Sequence, residues 1–140
     1  MAGTHQGFTC PVAIRFNDID AMGHVNNAVI FSYFEEGRKL LFYDALKDRV
    51  PGGFNFMMAH LECDYLLPIR LDDRLLVNIR TTSIGTKSFG FAYRLMDAAD
   101  ENRVFATGSS VQVCYDWARR RSVPVPDNLR MALGEYLADS

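Results

Sequence analysis

Cysteine is scarce in this chain, and its copies are far apart. Only Cys10, Cys63 and Cys114 occur among 140 residues, and they form neither a Cys-x-x-Cys pair nor a zinc-ligand spacing. This pattern excludes a disulfide scaffold and a zinc finger. Since each cysteine lies in an apolar or alternating stretch, we expect three reduced thiols in the core.

Long apolar runs and strong charge are also missing. No stretch approaches the roughly 20 apolar residues that span a bilayer, and the net charge is only −2. The beginning of the chain lacks a basic segment followed by an apolar one, which is the pattern of a secretory signal. The sequence therefore predicts a cytoplasmic protein with neither a membrane nor nucleic acid as partner.

The composition that is present is that of an ordinary globular protein. Hydrophobic residues make up 49% and charged residues 23% of a chain without repeats, low-complexity segments or linkers. Its length suits one hydrophobic core but not two. We expect a single domain over residues 1–140, with its core at about 9–126 and a C-terminal helix at about 127–138.

Hydrophobic periodicity predicts the order β-α-β-β-β-β-α. Ile30, Phe34, Gly37 and Leu41 form one line at helical spacing, in a helix that follows residue 27 and reaches to about Leu46. Alternating or β-branched stretches predict five strands, at residues 9–16, 56–67, 74–84, 87–96 and 103–117. Asp127 is the candidate N-cap of the last helix. One long helix before four consecutive strands indicates an α+β protein whose antiparallel sheet wraps around that helix.

The most unusual segment, residues 18–27, reads DIDAMGHVNN. It places two acids, a glycine, a histidine and two asparagines directly before the long helix, where free backbone N–H groups can act on an anion or a polarised carbonyl. The residues alone leave a structural alternative open, in which Asp20 only caps the helix. We expect Asp18 to pair with a nearby backbone or basic group.

With the downstream segments, this run resembles a known family. The pattern Asp18-x-Asp20-x-x-Gly23-His24-Val25-Asn26-Asn27 resembles that of hotdog-fold thioesterases of the 4-hydroxybenzoyl-CoA thioesterase type, and within them the acyl-CoA thioester hydrolases. Residues 33–38 (YFEEGR), residues 64–68 (DYLLP) and residues 85–89 (GTKSF) are similar to further segments of that family. The resemblance covers residues 12–126 and implies a five-stranded antiparallel sheet around a long central helix.

The resemblance implies an active site in the opening run. Asp20 matches the catalytic carboxylate, which acts as nucleophile or as general base. The backbone N–H of Asn27 matches the oxyanion donor at the helix N-terminus. Gly23 would permit a conformation closed to other residues, and His24 and Asn26 would either orient Asp20 or water, or hold the loop. The implied reaction is hydrolysis of an acyl-CoA to the free acid and CoA, with no metal or organic cofactor.

The resemblance also implies where coenzyme A binds. Lys87 and Ser88 match a stretch that meets the nucleotide end of the substrate, and a lysine at a turn suits phosphate. The basic run Arg119, Arg120 and Arg121 is a further candidate for the phosphates, from the same or the neighbouring subunit. Members of this family pair into homodimers, or dimers of dimers, with the site at the subunit boundary.

Several alternatives remain open at this point. Glu35 and Glu36 on the long helix are reserve catalytic acids, and a metal site from Asp18, Asp20 and His24 is disfavoured because nothing else completes a shell. His60 fits a hydrogen-bonded sheet histidine beside Glu62. An acyl carrier protein thioesterase and a non-catalytic acyl-CoA-binding module are the competing functions. The acyl group is open, with an apolar wall of Phe54, Phe56, Met57 and Met58 and a core or pocket row of Phe89, Phe91 and Tyr93.

Overall fold

A computed structural model describes residues 7–51 and 53–137. The elements in chain order are β1 (Phe8–Val12), a 3₁₀ turn (Phe16–Asp18), α1 (Val29–Leu40), a π-helical turn (Leu41–Ala45), β2 (Phe56–Tyr65), β3 (Leu75–Ile84), β4 (Ser88–Asp97), β5 (Asp100–Asp116), β6 (Arg121–Ser122) and α2 (Asp127–Gly134). The sheet is antiparallel, with the order β1-β3-β4-β5-β2, and β6 pairs only with the end of β5.

The core lies between the concave face of this sheet and α1. The line predicted from periodicity, Ile30, Phe34, Gly37 and Leu41, is buried, and Phe34 stacks on Tyr93 of β4 with ring centroids 4.5 Å apart. Strand β4 supplies Phe89, Phe91, Tyr93 and Leu95 to the same face because its side chains alternate. The prediction of an α+β protein with an antiparallel sheet packed on a helix is confirmed.

One polar chain crosses this apolar core. Arg38 of α1 is 7% exposed and donates to the Tyr93 hydroxyl at 3.1 Å, and that hydroxyl hydrogen-bonds Ser110 of β5. Burial raises the pKa of Tyr93, so the hydroxyl keeps its proton. A buried polar group is costly without a partner, so this chain links α1 to the centre of the sheet in one arrangement.

The first strand is shorter than predicted. The expectation of a strand over residues 9–16 is wrong beyond Val12, which pairs with Leu75, the first residue of β3. Residues further along find no partner strand, and Phe16–Asp18 turn into a 3₁₀ helix instead. Strand β2 likewise ends at Tyr65, because the N–H groups of Leu66 and Leu67 both donate to the Phe105 carbonyl.

The C-terminal helix begins at the predicted residue but differs from the prediction in its N-cap and its end. Pro126, not Asp127, holds the N-cap position, and Asp127 is the first helical residue, where its charge still complements the helix dipole. The helix ends at Gly134, and Leu137 then bridges to Thr81 of β3. The predicted end at residue 138 lies outside the described residues.

The two edges of the sheet are unlike. Strand β1 has five residues, and one of them is Pro11, which cannot donate a backbone hydrogen bond. Strand β2 has ten residues without proline and, among the described strands, pairs with β5 only. A long, unblocked edge of this kind is a template for pairing with another strand.

The cysteines behave as predicted. All three are free thiols, with Cys10 and Cys114 buried and Cys63 half-buried. Burial, with a smaller contribution from the charge of Glu36, raises the pKa of Cys10 to about 11, which keeps this thiol protonated and unreactive. No helix within residues 7–51 and 53–137 is long and apolar enough to cross a membrane.

Gly108 of β5 offers a test of the contact between sheet and helix. A Cβ there would lie 2.6 Å from the Phe34 ring and 2.7 Å from the Glu62 carbonyl oxygen, so the backbone itself would have to move. We expect Gly108→Ala to lower the free energy of unfolding by about 1–3 kcal/mol, measured by urea denaturation. The control is Gly134→Ala, since a Cβ at Gly134 meets nothing within 4 Å. Equal stability of the two variants would contradict this packing.

Candidate active site

The run at residues 18–27 folds into a compact loop before α1. Ile19 and Val25 form an antiparallel bridge, and the N–H of Asp20 donates to the His24 carbonyl at 2.9 Å. Gly23 closes the turn with φ at +82°, in the left-handed region. An added Cβ there would meet nothing within 4 Å, so glycine is required for its backbone conformation rather than for space.

Asp18 holds this loop to the helix. Its side chain is buried, and Oδ2 accepts hydrogen bonds from the Arg15 backbone N–H at 2.8 Å and the Tyr33 hydroxyl at 2.7 Å. Burial and the hydrogen bond to Asp18 raise the pKa of Tyr33, so that hydroxyl remains a donor. The prediction that Asp18 is a structural partner is confirmed.

Asp20 is not a helix cap. The N-cap of α1 is Ala28, eight residues further on, so the structural alternative for Asp20 is wrong. Instead its Oδ1 accepts the Met22 N–H at 2.9 Å, which fixes the carboxylate within the turn. The other oxygen, Oδ2, has no hydrogen-bond donor among the described residues, so it is free to act on a bound molecule.

The Asn27 amide points away from the helix. The Asn26 carbonyl accepts the Val29 N–H at 2.9 Å and therefore faces α1. Because carbonyl and N–H point in opposite directions in a trans peptide, the Asn27 N–H faces outward. This N–H has no acceptor within the described parts of the chain. It is a free donor at the positive end of a helix, which suits a developing oxyanion.

Two supporting residues, one at the end of β2 and one in the segment after it, were missed from the sequence. The Tyr65 hydroxyl at the end of β2 donates to the Asn27 carbonyl at 2.9 Å, and the Ile69 carbonyl accepts the Val25 N–H at 2.8 Å. Together they hold the loop against the end of β2 and the segment that follows this strand. Tyr65 shares its strand face with Leu61 and Cys63, and this alternation was the available sequence signal.

Asp20 and Asn27 line the same cavity. It has a volume of about 340 Å³ and is bounded by residues of the loop and by Pro68. A neighbouring apolar groove of about 230 Å³ shares Val25, Asn27 and Pro68 with it and is further lined by Tyr65, Leu66, Leu67 and Phe105. A carboxylate, a free amide donor and an apolar groove therefore meet at one place.

His24 and Asn26 have local roles in the loop. The Asn26 Oδ1 accepts the Ala28 N–H at 2.9 Å, so this side chain holds the start of α1. The His24 carbonyl accepts the Asp20 N–H, and both residues border the cavity. Four of the five residues predicted from the motif thus line one cavity, and the fifth, Gly23, closes the turn that carries them.

The residues predicted to meet coenzyme A lie elsewhere in the same chain. Tyr65, next to Asn27, pairs with Ala106 of β5, whereas Ser88 pairs with Val113. Seven residues of strand correspond to about 24 Å, so Lys87 and Ser88 are at the opposite end of the sheet from Asp20. Arg119, Arg120 and Arg121 follow β5 at that same far end. One copy of the chain does not bring the two groups together.

The remaining candidates are separate from the loop. Glu35 and Glu36 are exposed on α1, and Glu36 lies 3.5 Å from Lys39. His60 Nε2 lies 2.9 Å from Glu62 on the outer face of β2, which confirms the hydrogen-bonded sheet histidine. Within residues 7–51 and 53–137, no three His, Cys, Asp or Glu side chains are grouped so that they could hold a metal ion.

Comparison with known proteins identifies the family. The family model described as the thioesterase-like superfamily matches residues 14–133. The chain belongs to the thioesterase-like superfamily. This confirms the family predicted from the motif and its class as a thioester hydrolase.

Several named proteins are similar to this chain over most of its length. The acyl-CoA thioesterase YbgC of Haemophilus influenzae is 27% identical over 131 residues, covering 90% of this chain and 93% of that protein. The 1,4-dihydroxy-2-naphthoyl-CoA hydrolase of Synechococcus elongatus is 28% identical, covering 84% and 88%. A thioesterase from Thermus thermophilus, solved with coenzyme A and Zn, is 32% identical with a TM-score of 0.77, covering 92% and 98%. The TM-score of this match shows that the likeness extends from the sequence to the hotdog fold.

The Tyr33–Asp18 hydrogen bond can be tested directly. Tyr33→Phe removes one donor from a buried carboxylate, and we expect the free energy of unfolding to fall by about 1.5–3 kcal/mol, measured in urea. Tyr43→Phe is the matched control, because Tyr43 is 64% exposed and its hydroxyl has no partner among the described residues. A Tyr33→Phe variant as stable as the control would show that this bond does not hold the loop.

Proposed function

We propose that this protein hydrolyses an acyl-CoA thioester to the free acid and CoA, using Asp20 and the Asn27 amide. The observation that supports this most is that both residues border one cavity, while Asp20 Oδ2 and the Asn27 N–H have no hydrogen-bond partner among the described residues. The names of the Haemophilus and Synechococcus relatives, both hydrolases of CoA thioesters, support the substrate class.

The chemistry needs few groups. The Asn27 N–H donates to the thioester carbonyl oxygen and stabilises the negative charge that develops there. Asp20 Oδ2 either takes a proton from the attacking water or attacks the carbonyl carbon itself. In both routes the C–S bond breaks, the sulfur leaves with CoA and water supplies the oxygen of the acid. Neither route requires a metal or organic cofactor.

The apolar groove beside Asn27 suits the acyl group. Its walls, which include Leu66, Leu67 and Phe105, offer contact without charge next to the reacting carbonyl. A groove of about 230 Å³ accommodates a medium-chain or an aromatic acyl group. Rates of thiol release from a panel of acyl-CoA substrates distinguish between these two classes.

We further propose that the chain forms one hotdog domain, with its five-stranded sheet wrapped around α1, and that two copies pair as a dimer. The support for pairing is the free edge of β2, ten residues long and unblocked. Two β2 strands joined antiparallel about a two-fold axis set the Tyr65 end of one against the Phe56 end of the other. Phe56 pairs with Cys114, so the partner's loop approaches the end of the sheet that carries Lys87 and the arginines.

The proposed role of Asp20 can be tested by substitution. We expect Asp20→Asn to lower kcat by at least about 100-fold, because the amide neither accepts a proton from water nor attacks the carbonyl. Thiol release from a panel of acyl-CoA substrates measures this effect. Asparagine can still accept the Met22 N–H, so the turn should be kept.

A matched control distinguishes the loss of the proposed catalytic carboxylate from the loss of a negative charge in general. Asp44→Asn removes an exposed carboxylate from the π-helical turn and should leave kcat unchanged. Full activity of Asp20→Asn, or an equal loss in both variants, would contradict the proposed role of Asp20. Failure of the unaltered protein to release thiol from any acyl-CoA would contradict the proposed function itself.

A further inference from the structure

A small pocket lies between the C-terminal end of α1 and the start of β2, and its volume is about 180 Å³. Three buried or half-buried residues form its wall, Arg38, Phe42 and Phe56, and three exposed residues form its mouth, Glu35, Lys39 and Tyr43. None of these residues has a role in the mechanism proposed above. A pocket of this size suits one end of a longer ligand rather than a whole ligand.

The wall of this pocket contains a buried positive charge. Arg38 is 7% exposed, and its guanidinium donates to the Tyr93 hydroxyl at 3.1 Å. Its other N–H donors have no acceptor among the described residues. Glu35 at the mouth is exposed and lies beyond ion-pair distance from Arg38, so water screens its charge. Arg38 thus lacks a counter-charge within the part of the chain that the structure describes, which is costly for a buried ion.

The groups behind Arg38 are neutral and fix its position. The Tyr93 hydroxyl, which keeps its proton, hydrogen-bonds Ser110, and Ser110 in turn donates to Gln112. This chain orients the guanidinium without balancing its charge. A planar guanidinium that is held in place and still has free donors is suited to a carboxylate, which it can bind through two parallel hydrogen bonds.

The pocket and the cavity beside Asp20 lie along one flank of the molecule, where α1 and β2 run side by side in opposite directions. At one end of this flank, the Asn27 carbonyl accepts the Tyr65 hydroxyl at 2.9 Å. At the other end, the ring of Phe42 lies beside that of Phe56, with centroids 5.3 Å apart. A ligand that follows the flank therefore passes from the candidate catalytic groups to the pocket.

The position of Arg38 sets the length of such a ligand. Arg38 reaches Ser110 through Tyr93, and Ser110 pairs with Leu61 of β2, so Arg38 is level with the middle of that strand. At the rise of an α-helix, the chain advances about 16 Å from Asn27 to Arg38. Because side chains on a helix tilt towards its N-terminus, the guanidinium lies nearer to Asn27 than this. The separation suits an extended medium-chain acyl group.

The surface between the two ends of the flank is apolar. Phe31 of α1 and Leu61 and Cys63 of β2 are half-buried, and Phe31 and Cys63 pack against the core. A chain of methylene groups that lies on these residues buries apolar area, which is favourable. Such a chain would place a carbonyl at Asn27 and its far end at Arg38.

We propose that Arg38 binds a carboxylate at the far end of the acyl group, so that the preferred substrate is the CoA monothioester of a medium-chain dicarboxylic acid. This inference rests on the proposed function, which places the thioester carbonyl at Asn27. The methylene chain follows the apolar flank, and the terminal carboxylate enters the pocket between Phe42 and Phe56. There it accepts the free N–H groups of Arg38 and balances the buried charge.

Matched substrates test this proposal on the unaltered protein. Suberyl-CoA is compared with octanoyl-CoA and sebacyl-CoA with decanoyl-CoA, since each pair differs only by a carboxylate in place of the terminal methyl group. We expect the carboxylate to lower KM by roughly 10-fold or more in at least one pair, because it forms charge-assisted hydrogen bonds. The value of kcat should stay the same, because this contact is equal in the ground state and the transition state.

A shorter pair is the control for these substrates. Glutaryl-CoA and pentanoyl-CoA should have similar KM values, because a short acyl group does not reach Arg38. Equal KM values within both longer pairs, or the same preference in the short pair, would overturn the proposal and leave the proposed function standing. No thiol release from any of these substrates would contradict the proposed function instead.

Substitution of Arg38 identifies the group that binds the carboxylate. Arg38→Met should abolish the difference in KM between suberyl-CoA and octanoyl-CoA, and Arg38→Lys should restore part of it because the charge returns. Lys39→Met is the matched control, since Lys39 is exposed at the mouth and lies 3.5 Å from Glu36, and it should keep the difference. A preference that survives Arg38→Met, or that falls equally in Lys39→Met, would overturn the assignment to Arg38. If Arg38→Met does not fold, the substrate pairs still decide the proposal.

Discussion

The buried hydrogen bond between the Tyr33 hydroxyl and the Asp18 carboxylate is the contact on which the geometry of the loop depends. Through it, α1 holds the start of residues 18–27, while the Tyr65 hydroxyl holds their end at the Asn27 carbonyl. Between these two points the turn is set by its own backbone bonds and by Gly23. Oxyanion stabilisation needs donors that are in position before the reaction begins. A loop held by both the helix and the sheet meets this requirement of the proposed mechanism.

The second constraint on the site is the distance along β5 between the loop and the residues proposed to bind the nucleotide. The loop lies at one end of the sheet, whereas Lys87 and the run Arg119, Arg120 and Arg121 lie at the other. In a single copy, the residues proposed for the chemistry and those proposed for the nucleotide are separated by about 24 Å of strand. The proposed pairing through β2 would remove this separation, since a two-fold axis exchanges the ends of the strand. The free edge and the divided site thus have one common explanation.

Much of the fold and of the loop could be predicted from the sequence, because the signals were local. The buried line Ile30, Phe34, Gly37 and Leu41 follows from helical period, and the conformation of Gly23 from its residue type. Contacts between distant segments left no such signal. The partner of Asp18 could not be identified as Tyr33, nor could Tyr65 be assigned to Asn27, because both depend on how strands and helix pack. The length of β1 depended on where β3 begins.

A mixed dimer tests the shared site most directly. Asp20→Asn subunits and Arg120→Glu/Arg121→Glu subunits, each of which we expect to be inactive towards a low concentration of acyl-CoA, are mixed, allowed to exchange and assayed for thiol release. If Asp20 of one copy serves the nucleotide site of the other, half of the dimers are mixed and each contains one intact site. The mixture should then regain about a quarter of the unaltered activity, whereas activity that stays at the level of the separate variants would contradict the account.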